Sequence, residues 1–218
     1  MKKNYLTIKR KGNFSQTIKK SEFICTIARI TTEKEAKHFI RQISKKYSKA
    51  RHNCYAYLIG MHDEIQRQSD DGEPSGTAGV PILNVLKQND LHNVIAVVTR
   101  HFGGIKLGTN GLIRAYSSTT TEAIAKLGIV ERVVTKQITF ILSYADFEKA
   151  KRYMAQHEIE IDQVKYLESV MMTVLIPKDQ IKKFHQNLVE YFNKPIEMEI
   201  GKEVYHDKTV TAPTLTEK

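Results

Sequence analysis

The sequence predicts an α+β protein of two domains, and three observations carry that prediction. Apolar residues alternate at the strand period in some stretches and recur at the helix period in others. From residue 137 onward the order strand, helix, strand, strand, helix, strand is complete, which is the split βαβ arrangement of ferredoxin-like domains. The charge also changes along the chain. Lys and Arg outnumber Asp and Glu by 22 to 11 over residues 1–135 but stand at 12 to 13 over residues 136–218. The excess is steepest in the first 50 residues, at 14 to 3. A chain of 218 residues can give each domain its own core. The expected division is a basic domain over 1–133, a ferredoxin-like domain over 134–206 and a polar, Thr-rich tail over 207–218.

Taken in order, residues 5–11 alternate weakly and read as an edge strand, and residues 23–30 read as a second strand. Thr31 or Thr32 then caps a helix whose one face carries Ala36, Phe39, Ile40 and Ile43. Residues 53–59 form a strand entered through Arg51 and His52. Residues 68–79, QSDDGEPSGTAG, have no hydrophobic period and read as a loop, and Pro81 sits where a helical turn begins. Residues 93–99 are a short β-branched run suited to a strand buried on both faces. Helical spacing of Leu112, Ala115, Tyr116, Thr119 and Ala123 follows, ending at Gly128. Residues 128–135 are expected to link the domains. Beyond them come a strand over 137–142, a helix capped by Ser143, a hairpin over 158–167 and 170–176, a helix opened by Asp179, and a last strand over 196–205.

Composition narrows the function classes. Two cysteines, Cys25 and Cys54, are too few for a disulfide framework and favour a reducing compartment. No apolar run approaches the ~18 residues of a membrane span, and the basic N-terminus lacks the apolar segment of a signal peptide. The expectation is a cytoplasmic protein with no membrane partner, no metal and no cofactor. The basic first half calls for an anionic partner, with nucleic acid the leading candidate.

The chemistry concentrates in residues 101–118, HFGGIKLGTNGLIRAYSS: a strand end, a glycine-rich loop and a helix start. Gly103, Gly104, Gly108 and Gly111 let backbone amides face outward, a helix N-terminus is partly positive, and Lys106 and Arg114 add full charges. Such a surface suits a phosphate, although glycines also serve tight turns and close packing. In the acidic loop, Asp70, Asp71 and Glu73 do not match the spacing of a calcium loop. They can bind a hard cation or cap neighbouring amides, or Asp71 or Glu73 can pair with Arg100, Lys106 or Arg114 to hold the basic loop, and the last reading is favoured. Gly72, Thr77 and Gly79 complete this supporting loop. His52 and Cys54, two apart on a strand, have the order of a thiolate nucleophile and its base, but a Cys among Tyr and Ala is more often a small core residue.

Four blocks carry a family resemblance: KKSEFICTIARI at 19–30, RHNCYAYLI at 51–59, SDDGEPSGTAGVPILNVL at 69–86 and VIAVVTRHFGGIKLGTNGLIRAYS at 94–117. Together they resemble the IMPACT family, its bacterial YigZ/YvyE branch. His101 stands where the family usually has Tyr or Phe, and Thr109–Asn110 replaces a more usual small-Gly pair. The resemblance implies an N-terminal domain similar to the second domain of a small-subunit ribosomal protein and to elongation factor G domain IV. It also implies a ferredoxin-like C-terminal domain similar to the last domain of that factor. Eukaryotic members act in translational control through a protein partner of a stress kinase.

Three functions follow as expectations. The first is a non-enzymatic module that binds RNA or the ribosome. In it Lys20, Arg51, His52, Arg100, Lys106 and Arg114 contact phosphates beside the glycine loop, and Phe102, Tyr55, Tyr57 or Tyr116 stack on bases if exposed. The second is a protein–protein adaptor, in which the same loops dock an acidic partner. The third is an enzyme acting on a phosphorylated or nucleotide substrate, against which stands the absence of the G-x-x-x-x-G-K-[ST], G-x-G-x-x-G, HExxH and CxxC patterns.

Overall fold

The computed structural model of the chain describes residues 3–210. These divide into two compact units, one of Tyr5–Glu131 with residues 208–210 and one of Arg132–Asp207 with residues 3–4.

The first unit contains β1 (Tyr5–Ile8), β2 (Gly12–Ile18), β3 (Ser21–Arg29), α1 (Glu33–Lys46), β4 (His52–Ile59), β5 (Ile65–Ser69), α2 (Gly79–Gln88), β6 (Val94–His101) and α3 (Thr109–Leu127). Its sheet runs β2-β3-β6-β4-β5. β6 pairs antiparallel with β3 on one side and β4 on the other. Its central position follows from its residues: Val94, Ala96 and Val98 pack under α2 and α3, while Ile95 and Val97 face α1. Both faces of a strand with no polar residue before Thr99 are therefore covered. Thr32 caps α1 by accepting from the Glu35 amide at 3.2 Å, and the Glu35 carboxylate accepts from the Thr31 amide at 2.6 Å. This two-way cap follows the logic of a capping box. Gly128, at φ 80°, ends α3 by donating to Ile124 O.

Three elements differ from the sequence expectation. The strand expected over 5–11 ends at Ile8 as β1, and β2 (GNFSQTI) follows it unforeseen, because it is half-exposed and carries few apolar residues to signal it. β5 (IQRQS) is an edge strand with the same weak signal, inside a region expected to be turn and loop. The link expected at 128–135 is instead the start of β7 (Ile129–Leu142), one unbroken 14-residue strand. Its β-branched alternation continues through the change in charge, and the boundary between the two units falls within the strand.

The second unit holds most of β7, then α4 (Tyr144–Gln156), β8 (Ile161–Tyr166), β9 (Val170–Pro177), α5 (Ile181–Phe192) and β10 (Met198–Thr209). Within this unit β7 pairs with both β9 and β10, and β9 pairs with β8, the strand pairing of a ferredoxin-like domain. Phe140, Met154, Met172 and Leu188 sit in its core. The tail expected from residue 207 is strand as far as Thr209; residues 211–218 lie outside the described residues.

Candidate nucleic-acid interface

The site grows from the last turn of the central strand. Arg100 lies opposite Phe23 on β3 and His52 on β4, and is 5% exposed. Its Nη1 donates to Glu73 Oε1 at 2.7 Å and its Nη2 to Ser21 Oγ at 3.4 Å. The guanidinium carbon is 5.4 Å from the ring centroids of both Phe23 and Phe102. Tyr116, fully buried on α3, donates to the same Glu73 oxygen at 2.9 Å. One buried carboxylate thus ties the acidic loop to the central strand and the long helix. The expected tie between the two loops is made by Glu73 and Arg100. A buried pair of this kind is demanding: removing one partner leaves an uncompensated charge, at about 3–5 kcal/mol. Arg100 is therefore a positioning residue, and its placement removes it from the side chains able to reach a ligand.

The rest of the acidic loop is committed inward as well. Asp70 accepts from the amides of Gly76 at 2.9 Å, Ala78 at 3.0 Å and Gly79 at 2.8 Å. It thereby caps α2, whose own N-cap residue, Ala78, has no side chain for the task. Burial works to raise the Asp70 carboxyl, but the amides of Gly76, Gly79 and Ala78 together hold it below the usual carboxylate range. Asp71, in the left-handed region at φ 41°, accepts from the Asn53 amide at 2.6 Å. His52 Nδ1 lies 2.8 Å from Asp71 O, and a Cβ on Gly72 would come within 3.3 Å of the same nitrogen. Thr77 donates its hydroxyl to Pro74 O at 2.6 Å, and a Cβ on Gly79 would meet the Ser69 backbone at 2.9 Å. Among the described residues no three His, Cys, Asp or Glu side chains are grouped to hold a metal.

The Cys–His reading is corrected by burial. Cys54 is fully buried, and burial, partly offset by the Tyr116 hydrogen bond, pushes its thiol up to about 12. Its Sγ donates to Asp70 O at 2.9 Å, while His52 is held by Asp71. A thiol so far from ionisation is a core residue and not a nucleophile. Cys25 is pushed up to about 12 in the same way. Both cysteines pair opposite Val98 on flanking strands, about two strand spacings apart, so they cannot bridge.

Above this buried floor the glycine loop remains open. Gly103 packs so tightly on the β2–β3 turn that a Cβ would come within 1.9 Å of Lys20 O. Its amide donates to Ser21 Oγ at 3.2 Å. The turn itself is Lys19–Lys20, between the paired residues Ile18 and Ser21, with φ of 44° and 65°. Positive φ at both central residues is what a type I′ hairpin turn requires, normally met by Asn-Gly. Two L-residues there hold about 1–2 kcal/mol of strain each. Gly108, at φ 74°, is the N-cap of α3 and supplies no side-chain cap, and the first turn of that helix has no acidic residue. Gly104 is also at positive φ, and Gly111 packs on Leu107. Lys20, Lys106, Arg114 and Arg51 are all exposed.

The aromatic candidates separate. Phe102 is 48% exposed at the loop, with Ile105 at 40% nearby. Tyr116 is buried, and Tyr57 is buried and Tyr55 partly so in the cluster around α1, where their rings stack at 6.2 Å. His101 packs edge-on against Tyr47 at 6.3 Å. Sequence reasoning missed Lys19 and Ser21. Their signal is weak because the hairpin turn has no glycine or asparagine and Ser21 is an ordinary strand residue by composition.

Residues 19–124 match the Impact N-terminal domain family, and residues 140–193 match a domain of unknown function, DUF1949. Over 207 residues the chain is 40% identical to the IMPACT family member YvyE of Bacillus subtilis, covering 95% of each protein. It is 32% identical over 178 residues to the IMPACT family member YigZ of Escherichia coli, covering 81% of this chain and 87% of that one. A crystal structure described as that of a hypothetical protein superposes with a TM-score of 0.59 at 27% identity, covering 93% of this chain and 98% of the other.

Proposed function

The chain belongs to the IMPACT family, and from that premise and the basic face of its first unit we propose that it is a non-enzymatic cytoplasmic protein that binds RNA or the ribosome and modulates translation. One observation carries the reading. Asp70, Asp71 and Glu73 of the acidic loop are each bonded to backbone amides or to Arg100, while the side chains of Lys20, Lys106 and Arg114 are exposed. A surface whose loop acids are already bonded and whose cations are exposed attracts polyanions. The 14 to 3 excess of cations in the first 50 residues extends that field. Binding rather than catalysis fits the buried, protonated thiols.

A second reading, a protein–protein adaptor, is favoured by the exposed Phe102 and Ile105, which offer an apolar anchor at the loop tip. Sedimentation with ribosomes and with free RNA across a salt series tests the first reading. Wild type and a Lys20→Ala/Lys106→Ala/Arg114→Ala variant are compared after a fold check on each. Arg100 is left intact because its loss would unfold the floor. Salt-sensitive co-sedimentation lost in the triple variant is the expected result; no co-sedimentation of wild type at low salt would overturn it, and protein partners retained after nuclease treatment would favour the adaptor.

A further inference from the structure

We propose that the groove between the β2–β3 hairpin and the outer face of α3 holds a short stretch of single-stranded RNA, a proposal that rests on the RNA reading above and names the site and strand form. The groove encloses 680 Å³. One wall is the hairpin end, Ile18 and Lys19; the other is the stripe of α3 that begins at Gly111 and Arg114 and runs through Ser118 to Glu122. At 1.5 Å per residue that stripe is about 16 Å long, room for a few nucleotides rather than one base. The walls are held relative to each other, because Gln16 Nε2 on β2 donates to Ser118 Oγ at 3.1 Å and to Thr119 Oγ1 at 2.7 Å on α3.

The lining has the chemistry of a nucleotide rather than of a peptide or a metal. Ile18, Leu107 and Ile113 give apolar surface for base faces, and Ser117, Ser118 and Thr121 give hydroxyls that can donate to or accept from sugar and base edges. Charge is graded along the length. Lys19 and Arg114 stand at the end nearest the α3 N-terminus, which lacks a side-chain cap, and Glu122 stands at the other. Phosphates belong at the first end and are repelled from the second, so the strand enters in one orientation. A duplex keeps its base faces stacked inside and cannot use the apolar walls, which selects an unpaired strand. The hairpin that carries Lys19 is fixed in place by Gly103 packing against Lys20 O, so the cation at the groove mouth is positioned by the glycine loop.

The test is fluorescence anisotropy with an end-labelled 12-nucleotide oligouridylate at several salt concentrations. Wild type is compared with Ser117→Trp, which fills the groove, with Ile113→Glu, which puts a carboxylate in it, and with Lys20→Ala/Lys106→Ala on the loop outside it. Thermal melts check each fold. Expected are salt-dependent binding by wild type and at least a tenfold loss in both groove variants. A 12-base-pair RNA duplex and uridine monophosphate, at matched phosphate, should bind at least tenfold more weakly. If both groove variants bind as wild type while the loop variant does not, the groove is overturned and the RNA reading survives. If wild type binds no RNA at low salt, both fall. Displacement of the RNA by an equal concentration of polyglutamate would overturn the nucleic-acid identity of the occupant.

Discussion

The acidic loop before α2 and the glycine loop before α3 look alike in sequence: each is polar, glycine-rich, and opens a helix. They end up in opposite states. In the acidic loop Asp70 caps α2, Asp71 holds the start of β4, and Glu73 is buried against Arg100 and Tyr116. In the glycine loop only the first cation, Arg100, is tied down, and Lys106 and Arg114 remain exposed above a helix end without a side-chain cap. The difference follows from side-chain reach. Short carboxylates fold back on nearby amides, whereas long basic side chains extend to solvent unless a buried acid holds them. The acidic loop is the foundation and the glycine loop is the surface.

Cutting the tie between the loops should have the greatest consequence. Glu73→Ala leaves Arg100 charged, buried and facing two aromatic rings, and it also strands the Tyr116 hydroxyl. A loss of about 3–5 kcal/mol is expected in urea unfolding, with Glu73→Ala/Arg100→Met recovering a large part of it. If Glu73→Ala costs under about 1 kcal/mol, the acidic loop is not the foundation. Next in size is Gly103→Ala. Its Cβ would overlap Lys20 O, so the hairpin or the loop must move, at about 1–3 kcal/mol. The hairpin amides of Lys20 and Ser21 should shift in NMR spectra, whereas Gly104→Ala, with nothing near its Cβ, should leave them in place and pay only for its positive φ.

These effects also mark what the sequence could and could not convey. β3, β4 and β6 and the five helices were legible because their apolar periods are strong, and β6 declared its central place by having apolar residues on both faces. The β-α-β-β-α-β order of the second unit was legible for the same reason. β2 and β5 were not, since half-exposed edge strands carry polar residues that resemble loop. In the site, a tie between the acidic and basic loops could be foreseen from charge alone. Which acid met which base could not, because Arg100 is selected over Lys106 and Arg114 by its position at the end of the buried strand. The β2–β3 turn was invisible, because nothing in Lys19–Lys20 signals a left-handed turn and only the fit of Gly103 against it shows its importance.

The foundation should also respond to pH, through Asp70. Asp70→Asn keeps one acceptor oxygen but turns an amide donor toward backbone N–H groups, for an expected loss of about 1–2 kcal/mol at neutral pH. The folded carboxyl is depressed below its ordinary 3.8. Its contribution is therefore complete above that value and disappears as the pH falls through the lower folded value. Urea midpoints of wild type and variant should differ at pH 7 and draw together below about pH 4. A gap that stays constant down to pH 2 would mean that Asp70 acts by shape and not by charge.

The least change in stability is expected where function is most exposed. Lys20→Ala/Lys106→Ala/Arg114→Ala removes three exposed cations, of which Arg114 makes one long exposed bond, to Asn110 O at 3.4 Å, so each change should stay within about 0.5 kcal/mol. Binding should respond in the opposite measure. Each phosphate of a single strand that the protein ceases to neutralise lowers the steepness of log K against log salt by about 0.7, so three of them lower it by about 2. A variant as stable as wild type with a flatter salt response would separate surface from foundation. If the salt response is unchanged, the polyanion is held elsewhere on the basic unit, and the cations of α1, Lys34, Lys37, Arg41, Lys45 and Lys46, become the next to replace.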